Sequence, residues 1–333
     1  MEVLMKKIFL KLFAIISSIF IFFQANAQAD SICPKNPYLT GVLAEIFPGA
    51  GYFYQGDYHS ALLSSSLTLP LAAPYYVNTP SFLTKSLKSN LGTLSRNLLG
   101  YTVYDSFQST MTNEDRQNQI VSIPHYQFSE LYFAPFNGDS YSSWKMWVPL
   151  GLAGINFANK LSSTGISPNL TPARALIAIP LILAQSFMIG LGEESEFRGF
   201  QHPAFSKLTR SPWLGNALQS MSFGVCHTRW GVCTSPYLTG QIFRTTKSID
   251  PNTEYVAPSS PSDGGNTPDL DYFLATAIYG FWWGWIVQSE ENGLLKTITS
   301  HALFDALLVT SDMLTTNNTG RFYMSMSFPL PLL

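Results

Sequence analysis

Apolar residues fall in blocks along the second half of the chain. The stretches 145–162, 173–192, 213–228, 270–289 and 296–314 are rich in Leu, Ile, Phe and Trp and poor in charge. Each is long enough for a helix, and most approach the length that a membrane crossing needs. A sixth stretch, Ser60 to Val77, lies in the first half, where Pro70 and Pro74 predict a kink. At the N-terminus Lys6 and Lys7 precede the apolar run Ile8 to Phe23. Ala25-Asn26-Ala27 and Ala27-Gln28-Ala29 follow, at the small-residue spacing of an export-signal cleavage site. The same run also suits an uncleaved first membrane helix. The pattern predicts an all-α chain: a polytopic transmembrane helical bundle with a buried polar site, polar loops and an N-terminal signal segment.

The interruptions divide the chain. In Phe47 to His59, Pro48, Gly49 and Gly51 forbid a regular helix and predict a re-entrant or interfacial turn. Residues 78–144 are mostly polar, with Lys85, Lys88 and Arg96 just behind the preceding apolar stretch. Within them Asn97 to Met111 has helical spacing suited to a membrane surface, and 112–143 reads as an extramembrane loop or small cap. Thr228 to Asp271 contains Ser259-Ser-Pro-Ser-Asp-Gly-Gly-Asn-Thr-Pro268, a loop composition. Three regions result: 1–29, a signal peptide or first membrane helix; 30–144, an N-terminal region with one membrane helix and a polar cap; and 145–333.

Composition agrees with this division. Charged residues make up 12% of the 333, about half the share usual in soluble domains, against 46% apolar. The mean hydropathy of +0.10 leaves room for a sizeable polar part outside a bilayer. A net charge of −2 argues against a nucleic-acid partner. Cys33, Cys226 and Cys233 give an odd count and no disulfide framework, although Cys226 and Cys233 could pair in an oxidising compartment.

Three ionisable clusters sit within or at the end of apolar stretches, where a charge is expensive and faces a protein-lined interior. The first is Gly192-Glu193-Glu194-Ser195-Glu196-Phe197-Arg198. On a helix Glu194 and Arg198 are one turn apart and pair, while Glu193 points elsewhere. The second is Phe223-Gly-Val-Cys-His227 and the third His301-Ala-Leu-Phe-Asp305, each with its ends on one helical face. Singly, each also suits a helix-end salt bridge, a core histidine or a local His–Asp bond.

Together and in this order the clusters resemble the CPBP intramembrane protease family, the CAAX-protease and bacteriocin-processing family. Its motifs read EExxxR, FxxxH and HxxxN or HxxxD. The span Gly280-Phe-Trp-Trp-Gly284-Trp285 and the turn at Asn292-Gly293 fit the same pattern. The resemblance covers about 145–314 and implies an endopeptidase acting without metal or cofactor. It makes Glu193 the general base on a water and His227 that water's holder. His301 and Asp305 would stabilise the oxyanion, with Glu194, Arg198 and Phe223 in support. The implied partners are a membrane-associated peptide or protein substrate and the lipid bilayer, in a multi-pass protein of a cell membrane. The short signal reads as that of a bacterial inner-membrane protein. Asp305 stands where Asn is commoner, so it must be protonated, orient His301 or serve a different chemistry. The 44 residues of Thr228 to Asp271 are long for the connection after the second motif and suit a lid or a partner-binding insertion.

Other readings use the same residues. One Glu, two His and one Asp are a reasonable zinc ligand set, although no HExxH spacing is present. A non-catalytic scaffold or immunity-type protein would keep the fold and use the polar cluster only for packing. A transporter would use the carboxylates as a proton relay, but no inverted repeat is visible.

Overall fold

A computed structural model describes residues 35–76, 85–167, 172–227 and 268–316. The signal segment, Cys33, Cys233 and residues 228–267 of the long connection lie outside the described residues. From Pro37 onward the chain clusters as one compact unit, and all regular structure among the described residues is helical. The helices are α1 (Pro37–Ile46), α2 (Ala50–Gln55), α3 (Tyr58–Tyr76), α4 (Lys85–Thr110), α5 (Asn113–Gln117) and α6 (Phe128–Tyr132). Two short turns of 3₁₀ helix, Ala134–Phe136 and Gly138–Tyr141, lead to α7 (Trp144–Thr164). Next come α8 (Pro172–Glu194), a π-helical segment (Ser195–Gln201), α9 (His202–Thr209), α10 (Pro212–Cys226), α11 (Pro268–Ser289) and α12 (Gly293–Thr316).

The six apolar stretches fall on α3, α7, α8, α10, α11 and α12. Among the described residues, however, no helix is long and apolar enough to cross a membrane. The polar residues that each helix carries inward dilute its hydropathy: Thr68 and Ser64 on α3, Asn216 and Gln219 on α10, His301 and Asp305 on α12 are all buried. The outward positions are apolar. Leu62 and Leu67 on α3, Leu176 and Leu181 on α8, and Leu274 and Ile278 on α11 are exposed.

Polar helix α4 departs from its surface expectation. It packs against α1, α3 and α8, and Leu99, Val103, Tyr104 and Phe107 are buried. The crossing with α8 is made by glycines. A Cβ on Gly192 would lie 2.4 Å from the Asn97 Cα, and one on Gly100 would lie 2.2 Å from the Gly192 carbonyl oxygen. Neither helix could approach as closely with a larger residue at the crossing. The Pro48-Gly49 break does end α1, with Gly49 at φ +84°. Gly51 instead lies within α2, where an added Cβ would meet the Thr40 carbonyl and the Ser106 hydroxyl at 2.7 Å. Its small size is used for packing and not for a turn.

Helices α10 and α11 are clamped by amides. Gln219 Nε2 donates to the Gly280 carbonyl (3.0 Å) and to Asn216 Oδ1 (2.7 Å), and Asn216 Nδ2 donates to the Phe281 carbonyl (3.0 Å). Gly284 faces the same clamp, and a Cβ there would fall 1.8 Å from Asn216 Oδ1. Gly284→Ala must therefore displace Asn216 and break its bond to α11. A loss of about 2–3 kcal/mol is expected. Thermal melting checks this, and a parental midpoint would refute the clamp as described.

Candidate active site

The site forms where the C-terminal end of α8 meets α10, α11 and α12. Helix α8 ends at Glu194, and the chain continues in π geometry through Ser195–Gln201. A π turn is rare because it widens the helix and loosens its bonding. Here every residue of the segment is buried, so tertiary contacts hold it.

At its centre lies a buried ion cluster. Arg198 Nη1 donates to Glu194 Oε1 at 3.0 Å, and both side chains are fully buried. The pair expected from the four-residue spacing is present. The same oxygen accepts a second bond from His301 Nδ1 at 2.7 Å. Glu194 thus joins α8 to α12 as well as pairing with Arg198. That bond was not visible in the sequence, because it links residues 107 apart. Aromatic faces surround the guanidinium and the imidazole. The Arg198 guanidinium lies 4.3 Å from the Phe223 ring centroid and 5.4 Å from that of Trp283. The His301 ring stacks on Trp283 at 4.2 Å with a 16° tilt. Trp283 Nε1 donates to Ser300 Oγ at 3.2 Å, which fixes the indole. Of the Gly280–Trp285 run, then, Gly284 serves helix approach and Trp283 serves the site.

Beside this cluster lies a more open group. Glu193 Oε2 is 3.5 Å from His227 Nε2 and 3.8 Å from His301 Nε2. Asp305 Oδ2 is 3.5 Å from His301 Nε2. The structure thus brings Glu193, His227, His301 and Asp305 together from three helices, with Glu194, Arg198 and Phe223 directly behind them. The expectation that Glu193 and Glu194 part company holds geometrically. Glu194 is fully buried, whereas the Glu193 and His227 side chains keep 18% and 13% of their surface accessible.

Tautomers follow from the bonding. His227 is the C-terminal cap of α10, and its Nδ1 donates to the Phe223 carbonyl at 2.7 Å. In the neutral ring Nε2, facing Glu193, is then the acceptor nitrogen. Phe223, four residues earlier, lies under the imidazole at 4.3 Å between centroids. Glu193 Oε2, His301 Nε2 and both Asp305 carboxyl oxygens are buried and make no hydrogen bond within the protein. Among the described residues no group of three or more His, Cys, Asp or Glu is arranged to hold a metal ion.

Two residues near the site went unassigned in the sequence. Glu196, inside the first motif, is buried and forms an ion pair with Arg96 of α4. Gln201 Nε2, at the end of the π segment, donates to Glu45 Oε1 of α1 at 3.0 Å.

Residues 175–307 match the family model described as Rce1-like, type II CAAX prenyl endopeptidase. This segment is similar to that family. The matched segment begins within α8 and ends within α12, and it includes all three motifs. No curated protein and no solved structure matches the chain.

Arg198→Met would leave Glu194 buried beside His301 without its main counter-charge. A loss of about 3–5 kcal/mol is expected. The double variant Glu194→Gln/Arg198→Met should recover part of it, because it leaves no unpaired ion. Chemical denaturation of the two variants checks the order, and equal stability of Arg198→Met and parent would refute it.

Proposed function

We propose that this protein is a membrane-embedded endopeptidase that hydrolyses a peptide bond of a prenylated or otherwise membrane-associated protein, using a water activated by Glu193. The observation that carries the reading is the placement of His227 Nε2 and His301 Nε2 within 4 Å of Glu193 Oε2, beside the partly accessible side chains of Glu193 and His227. The family match supports the reaction class and a membrane setting. The apolar outward faces of α3, α8 and α11 support burial in lipid by the assembled bundle.

Two acceptors face each other across the site: the Glu193 carboxylate and the His227 Nε2 lone pair. A water between them donates one proton to each, which turns an oxygen lone pair toward the substrate carbonyl. Glu193 takes the proton as the water attacks, and the same proton then passes to the departing amine. His301 acts in this step as the imidazolium, its Nδ1–H held by Glu194. Its Nε2–H is then a donor for the oxyanion. Asp305, beside that nitrogen, serves this step as a neutral carboxylic acid that donates a second hydrogen bond.

A fluorogenic peptide ending in a farnesylated Cys-aliphatic-aliphatic-X sequence tests the reading. Glu193→Gln should lower kcat by about 10²–10⁴-fold at an unchanged melting temperature. Cleavage by that variant at the parental rate would overturn the assignment. Asp305→Asn should stay within about tenfold of the parent, because Asn supplies a permanent donor of the same shape, whereas Asp305→Ala should lose about 10²-fold or more. If Asp305→Asn is as poor as Asp305→Ala, Asp305 acts through its charge instead.

A further inference from the structure

The matched CAAX-protease segment begins at residue 175, yet two side chains from before it grip the π segment. Arg96 of α4 pairs with Glu196, and Glu45 of α1 accepts from Gln201. These contacts fall near the two ends of the seven-residue π turn that follows Glu193 and Glu194. The Arg96 side chain is 18% exposed and that of Glu196 is 3% exposed. The Arg96–Glu196 pair sits at the α4–α8 crossing, where Gly100 and Gly192 bring the backbones into contact one residue before Glu193. Arg96 also lies within electrostatic reach of Glu193.

Relaxing the π turn to α geometry would rotate the preceding carboxylates relative to Arg198. Something outside the turn must fix its register. The pair that Arg96 makes is suited to this, because Glu196 is the one carboxylate within the turn and a buried carboxylate is held firmly by its counter-ion.

We infer that Arg96 is a positioning residue of the active site, contributed by α4 from outside the matched domain. Through Glu196 it holds the π segment in register and so places Glu193 opposite His227. The inference rests on the proposed role of Glu193 for its consequence in catalysis, but its structural core does not.

Three variants test it: Arg96→Met, Arg96→Lys and the charge-free pair Arg96→Met/Glu196→Gln, which folds without a buried unpaired ion. Hydrogen exchange of the amides in 195–201 is read first and needs no substrate. Both Arg96→Met and the charge-free pair should raise it at least tenfold, with α12 unchanged, and Arg96→Lys should largely restore protection. Parental protection in the charge-free pair would overturn the inference. With the farnesylated peptide, the charge-free pair should lose at least tenfold in kcat at near-parental KM and melting temperature. A parental kcat would also overturn it. If the parent and Glu193→Gln are equally inactive on the peptide, the proposed function fails, and the exchange result alone still decides the role of Arg96.

Discussion

The Glu194 carboxylate is the constraint on which the site depends. One of its oxygens accepts from Arg198 within its own helix and from His301 on α12. A buried carboxylate costs several kcal/mol unless such partners are held in good geometry. That cost makes the register of α8 against α12 specific. A shift of either helix would strand an ion in a dry interior. Phe223 and Trp283 complete the arrangement by giving the guanidinium and the imidazole aromatic faces to rest on.

This rigid core leaves Glu193 free of structural duty. The neighbouring carboxylate takes the counter-charge, so Glu193 can face His227 in a part of the site that keeps some access. The division of labour between adjacent glutamates comes from a rotation of about 100° along the helix. The π turn immediately after them then sets where the chain goes next. Small residues do comparable work elsewhere: Gly284 admits the α10–α11 clamp, and Gly192 and Gly100 bring α4 alongside α8.

The helices before residue 145 are part of the same compact unit as the matched domain. Their polar residues face inward, onto the π segment and one another, while several long helices turn leucine and isoleucine outward. This inversion explains why no described helix has the hydropathy of a span although the bundle's surface is strongly apolar. Hydropathy averages over both faces of a helix, and here the buried faces carry polar residues among the apolar ones.

The sequence alone located α7, α8, α10, α11 and α12 in the second half, because long apolar blocks bounded by Gly, Pro and polar residues admit little else; it did not find the short α9. It also located the three motifs and the Glu194–Arg198 pair, because i, i+4 contacts depend only on helical geometry. The inward placement of α4, the bond from Glu194 to His301, the stacking of His301 on Trp283 and the π turn at Ser195–Gln201 were decided by the tertiary structure. Each depends on which faces of distant helices meet. No local periodicity encodes that meeting; it is set by the glycine contacts and buried charges that only close packing brings together.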